Sequence, residues 1–182
     1  MDWLSYQKEA LKTAIYPKGA TAIAYTALGL TDEIGEFYEA LGTPKAQKEL
    51  GDVFWYVACF CNEADIDISQ VETKALKEIG STPNFGILPS CDFLVPIDQL
   101  RLSSAKICGL VKKYIRDDGS SEKGIPAVKK DSIYEEMSKI VLSIYYICSY
   151  TGFSWSEVAK QNLDKLKSRQ ERGKLKGSGD DR

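Results

Sequence analysis

Two long stretches of helical periodicity, about 21–41 and 43–62, are separated by little more than Gly42. So short a connection folds two helices back on each other, and the segment reads as an antiparallel hairpin. Gly42 suits the C-terminal cap of the first helix, Thr43 the N-cap of the second and Pro44 its first turn. The remaining segments must pack around that hairpin. Ahead of it, Trp3 to Tyr16 carries Leu4, Ala10, Leu11, Ala14 and Ile15 at helical spacing, and Pro17-Lys18-Gly19 ends the pattern. Further helices are predicted at about 69–78, 97–117, 131–150 and 154–173. Strand signals are almost absent, so the predicted fold class is all-α, a helical bundle.

The chain divides into a first helical half over 1–79, an ordered Pro/Gly-rich crossover over 80–96, a second half over 97–173 and a Gly/Ser-rich tail over 174–182. The crossover keeps Phe85, Ile87, Leu88, Phe93, Leu94 and Val95, too apolar for a loose linker. The halves look alike. At an offset of 87 residues, Glu49, Val53, Cys61, Ser69, Val71 and Leu76 fall on Glu136, Ile140, Cys148, Ser156, Val158 and Leu163. Upstream, Leu30–Glu36 lies on Ser103–Gly109 at an offset of 73, the difference being an insertion around 117–130. The pattern predicts two tandem, degenerate helical units that form a pseudo-dimer.

Absences exclude several chemistries. There is no histidine among the 182 residues, which removes imidazole bases, histidine-ligated zinc and Cys–His dyads. The five cysteines are odd in number and show no CxxC spacing; they read as reduced core thiols. The balance of 24 basic and 26 acidic side chains argues against bulk binding to nucleic acid or membrane. The N-terminus shows no signal-peptide pattern, and the longest apolar run, Val53 to Cys61, is far short of the ~18 residues of a span. The expected location is cytoplasmic.

The hairpin carries the chemistry. Glu33 and Glu36 lie one turn apart on its first helix, Glu49 and Asp52 one turn apart on its second. Facing carboxylates repel and are costly to bury unless cations neutralise them. An oxygen-only donor set selects Mg²⁺, or Mn²⁺, over zinc and copper. A solvated face explains Glu39, Glu63 and Asp67, but suits Glu49 and Asp52 badly because they open onto Val53-Phe54-Trp55-Tyr56-Val57-Ala58. Gly35 and Gly51, beside the acids, suggest close helix approach.

The second half has lost this set. Lys106 stands opposite Glu33, Gly109 opposite Glu36 and Lys139 opposite Asp52; only Glu136 keeps the acid of Glu49. It is rich in cations instead, with Lys112, Lys113 and Arg116 on one helix and Lys165 and Arg169 sharing a face with Asn162 on the last. Lys167, Lys174 and Lys176 read as a solvated face. Acids for metals and bases for anions suggest a polyphosphate held between the halves.

These residues resemble a known signature. Gly29-Leu30-Thr31-Asp32-Glu33-Ile34-Gly35-Glu36 and Glu49-Leu50-Gly51-Asp52 are similar to the two acidic motifs of the all-α nucleoside triphosphate pyrophosphohydrolases, the superfamily of MazG-like proteins and dimeric dUTPases. Lys112-Lys113-Tyr114-Ile115-Arg116-Asp117 resembles a basic motif, Asn162-Leu163-Asp164-Lys165 with Arg169 the last-helix motif, and Arg172–Arg182 a MazG-like C-terminus. The resemblance implies hydrolysis of a (deoxy)nucleoside triphosphate to the monophosphate and pyrophosphate, in control or cleaning of the nucleotide pool. It implies Mg²⁺ on Glu33, Glu36, Glu49 and Asp52, with Glu36 and Glu49 the catalytic carboxylates and Glu36 orienting the attacking water. Lys112, Lys113, Arg116, Lys165 and Arg169 would contact phosphates, and Asn162 the sugar or base. A homo-oligomer, a dimer in the first instance, is expected. Acids in one half and cations in the other depart from the minimal pattern and predict a composite site, with Arg116 and Lys165 reaching the metals from the opposite half. A nucleotide- or alarmone-binding regulator using the same pocket is the alternative, and a purely structural helical protein a third. Tyr16, Tyr25, Trp55, Tyr114 and Trp155 are candidates to stack on a base.

Overall fold

The computed structural model describes residues 1–80, 92–118 and 124–176, and among them every regular element is helical. The helices are α1 (Trp3–Ala10), α2 (Ala20–Ala40), α3 (Ala46–Glu63), α4 (Ile68–Ile79), α5 (Leu94–Asp118), α6 (Ala127–Thr151) and α7 (Trp155–Glu171), with a 3₁₀ turn at Leu11–Thr13. None is long and apolar enough to cross a membrane. Of the expected crossover, residues 81–91 lie outside the described residues and 94–96 belong to α5, whose start is capped by the Asp92 carboxylate accepting from the Leu94 N–H at 3.0 Å. In the expected tail and insertion, 177–182 and 119–123 lie outside them too.

Two boundaries move for identifiable reasons. α1 ends at Ala10, well short of Tyr16. The Trp55 indole N–H donates to the Ala10 carbonyl and to Thr13 Oγ1, at 3.3 and 3.0 Å, and Thr13 Oγ1 donates to the Ala10 carbonyl at 2.7 Å. These bonds satisfy the open helix end, and the chain leaves it in extended conformation at Ala14 as a strap that runs to Tyr16. Thr43 does not cap α3. Its hydroxyl donates back to the Ala40 carbonyl at 2.7 Å and accepts from the Lys45 N–H at 3.2 Å, so it closes the hairpin turn and α3 begins at Ala46.

The packing repeats. α2 pairs with α3 and α5 with α6; α2 lies on α5; α7 lies on α3 and α4 on α6. Exchanging α2 with α5, α3 with α6 and α4 with α7 leaves that set of pairs unchanged. Details recur at the 87-residue offset. Asp65 has a left-handed φ of 54°, uncommon for a residue with a side chain, and Gly152 has φ 74°. Asp67 caps α4 and Ser154 caps α7, each with its side chain. The Gln47–Gln161 hydrogen bond of 3.2 Å between α3 and α7 has its counterpart in Lys74 over the Tyr134 ring, 5.9 Å from its centre, between α4 and α6.

α1 seals the bundle through an aromatic cluster. Trp3 packs on Phe54 and Trp155 at 5.0 and 5.3 Å between ring centres, and Phe54 stacks on Trp155 at 5.4 Å. The described cysteines are free, and Cys59, Cys61 and Cys148 are buried, with Cys59 and Cys148 pushed up to about 12 by burial. These three are core thiols, Cys108 is half-buried, and Cys91 lies outside the described residues.

The two glycines beside the acids differ. A Cβ on Gly51 would stand 3.0 Å from the Asn162 Cβ, so α7 approaches α3 closely there. A Cβ on Gly35 would meet nothing within 4 Å. Gly51→Ala is therefore expected to destabilise the protein by about 1–3 kcal/mol through overpacking. Gly35→Ala should stabilise it by about 0.5–1 kcal/mol through the cost glycine carries inside a helix. Urea unfolding of both variants checks this; equal effects would contradict the packing.

Candidate active site

The hairpin delivers Glu33, Glu36 and Glu49 to one place. A carboxylate oxygen of each lies within 4.8 Å of one from the other two. Glu49 sits in the first turn of α3 and is only 6% exposed; Glu33 is half-buried and Glu36 exposed. Burial, with Asp52 and Glu36 adding to it and Lys165 opposing, pushes the Glu33 carboxyl up to about 8. Crowding and burial therefore favour the protonated form of Glu33, and an opposing charge would favour its ionised form. An oxygen-only donor set crowded to this degree, with one member buried, fits a hard divalent cation.

Asp52, the fourth expected ligand, is otherwise engaged. Lys165 Nζ donates to both of its carboxylate oxygens at 2.5 Å, and Asn162 Nδ2 donates to one at 3.0 Å. Asn162 Oδ1 accepts from the Tyr6 hydroxyl at 2.8 Å, a phenol that burial keeps protonated. Tyr6, Asn162, Asp52 and Lys165 thus form one chain of bonds linking α1, α7 and α3 beside the cluster. Asn162, expected at the sugar or base, is 3% exposed and held inside this chain.

The cluster opens onto a cavity of about 680 Å³. Its lining combines the acids Asp32, Glu33, Glu36, Glu49 and Asp52 with the aromatics Tyr16, Tyr25, Trp55 and Tyr56. Arg169, Leu166, Leu175 and Lys176 contribute from α7 and the segment beyond it. The aromatic wall is continuous: Tyr16 stacks on Tyr25 at 5.3 Å, Tyr25 lies 6.1 Å from Tyr56, and Tyr56 meets Trp55 edge-on at 4.8 Å. The Tyr16 hydroxyl donates to Glu63 at 3.0 Å, which fixes the strap.

Of the expected cations, Arg169 lines the cavity and Lys165 is held on Asp52 beside it. Lys112, Lys113 and Arg116 are exposed on α5 and are not among the lining residues. Arg116 donates to both oxygens of its neighbour Asp117, at 2.6 and 3.1 Å. Tyr16, Tyr25 and Trp55 reach the cavity as expected, whereas Tyr114 is buried and Trp155 belongs to the aromatic core. Sequence reasoning missed Tyr56, Leu175 and Lys176. The signal for Tyr56 was Gly29, one helix away, where a Cβ would stand 2.1 Å from the Tyr56 ring. Nothing in the run of lysines at the C-terminus marks Lys176 apart from its neighbours.

The family model described as the MazG nucleotide pyrophosphohydrolase domain matches residues 22–82. That span contains nearly all of α2, with α3 and α4, and the four acids of the hairpin. Gene 37 protein of Mycobacterium phage L5 is 30% identical over 102 aligned positions, covering 46% of this chain and 90% of that protein. No solved structure matches the chain at a significant level. With the family's acidic hairpin folded so that its glutamates converge, and with the greater part of the phage protein's length shared, this chain belongs to the MazG nucleotide pyrophosphohydrolase family.

Proposed function

We propose that the chain hydrolyses a (deoxy)nucleoside triphosphate to the monophosphate and pyrophosphate, with Mg²⁺, or Mn²⁺ in its place, as the resident cation. The observation that carries this reading is the convergence of Glu33, Glu36 and Glu49 within 4.8 Å at the wall of an aromatic- and cation-lined cavity. Glu33, Glu36 and Glu49 would hold the cation, which supplies Lewis-acid polarisation of the phosphoryl oxygens and neutralises the leaving group. Glu36, the exposed member, orients the attacking water and accepts its proton. Glu49, the buried member, fixes the ligand geometry. Asp52 acts through Lys165, holding its ammonium group beside the cluster for the phosphate chain, and Arg169 serves the same anion from one turn further along α7. Tyr25 and Trp55 are the cavity aromatics open to a base, whereas Tyr16 is buried between the stacked Tyr25 ring and the Lys18 ammonium. The site is composite, with its acids on α2 and α3 and its cations on α7, and the two halves act as a pseudo-dimer around it.

Two measurements test this reading. Incubation with Mg²⁺ and a panel of canonical and modified nucleoside triphosphates should release pyrophosphate from at least one of them. Glu49→Gln should lower that rate at least about 100-fold, since it removes a ligand rather than an outer partner of one. Release unchanged in the variant would contradict the assignment. The second concerns pH. Glu33 must lose its proton to bind a cation, so Mg²⁺ affinity should rise by up to about tenfold per pH unit from pH 6 and level off above about 8. Calorimetry in buffers of different ionisation enthalpy should detect the released proton. A flat profile would contradict it.

A further inference from the structure

We infer that the second half carries a copy of the hairpin's cation site in which the ammonium groups of Lys106 and Lys139 replace the metal, so that the chain holds one metal centre and one built-in counterpart. Glu136 on α6 occupies the position of Glu49 and, like it, is buried, at 9% exposure. Lys139 donates to Glu136 Oε1 at 2.8 Å, Lys106 reaches the same oxygen at 3.5 Å, and Ser103 Oγ donates to the other oxygen at 2.7 Å. Lys106 and Lys139 are the residues that the two sequence offsets set opposite Glu33 and Asp52. The helix pairing, the left-handed residues Asp65 and Gly152, and the caps Asp67 and Ser154 give the two hairpins the same frame.

The electrostatic consequences run in opposite directions. In the first hairpin, burial and neighbouring acids raise the Glu33 carboxyl. In the second, burial also acts to raise Glu136, but the bonds from Lys139 and Ser103 and the charges of Lys139 and Lys106 together hold the carboxyl below its ordinary value. Two monovalent cations fixed to the backbone supply the charge that a divalent ion would bring. At the position of Glu36 stands Gly109, where an added Cβ would meet nothing within 4 Å, so the backbone there admits a side chain. The statement about metals rests on the reading of the first hairpin as a cation site; the statement about the lysines rests on the second hairpin alone.

Two experiments test it. In a Glu49→Gln background, Mn²⁺ binding followed by electron paramagnetic resonance should be lost, and adding Lys106→Glu, Gly109→Glu and Lys139→Asp should restore one bound ion. Mn²⁺ binding that survives Glu49→Gln would overturn the claim of a single metal centre. A folded quadruple variant without bound Mn²⁺ would overturn the claim that the second site is a copy. Absence of Mn²⁺ from the wild-type protein would instead defeat the reading of the first hairpin, and the second experiment needs no metal. Lys106→Met with Lys139→Met should lower Tm by about 4–10 °C by leaving a buried charge unpaired, and Glu136→Gln in that background should recover most of the loss. No recovery would overturn the role of the two lysines.

Discussion

The crowding of the Glu33, Glu36 and Glu49 carboxyl groups is the constraint around which the hairpin and its neighbours are arranged. Acidic groups within 4.8 Å of one another, one of them buried, need the helices that carry them to be held firmly in place. The tight turn closed by Thr43 holds one end of the hairpin. α7 holds its flank, pressed against Gly51 and bound to α3 through Asn162 and Lys165 on Asp52. α1 in turn fixes Asn162 through the Tyr6 hydroxyl and closes the aromatic core through Trp3. Elements far apart in sequence therefore serve one local electrostatic problem.

The chain meets that problem twice. In one hairpin three acids converge at the cavity wall, the arrangement we read as a cation site. In the other, lysines on the same helices neutralise the one remaining acid, and the site becomes part of the scaffold. The last helix of each half then lies on the other half's hairpin, so that the cations of α7 meet the acids of α3.

Much of this was legible in the sequence because it follows from local rules. The shortness of the Gly42 connection sets the hairpin, and a spacing of three puts Glu33 with Glu36 on one face. What was not legible depends on contacts between distant segments. Asp52 has the same spacing from Glu49, yet its carboxylate turns to Lys165, a partner 113 positions away that only the docking of α7 supplies. Gly35 and Gly51 both sit beside acids, but only Gly51 faces another helix. The length of α1 was overestimated because the Trp55 indole, not a local breaker, ends it. The basic run at Lys112, Lys113 and Arg116 matches a motif while its helix position leaves it exposed on α5, outside the cavity.

Thermal unfolding of Glu33→Gln beside the wild-type protein at pH 8.5, with and without Mg²⁺, tests the central claim most directly. Without metal, removing one charge from the cluster should relieve repulsion and raise Tm by about 2–6 °C. With Mg²⁺ the order should reverse, because the wild type gains the binding energy and the variant does not. A metal-free variant no more stable than the wild type, or one stabilised by Mg²⁺ to the same degree, would contradict the account.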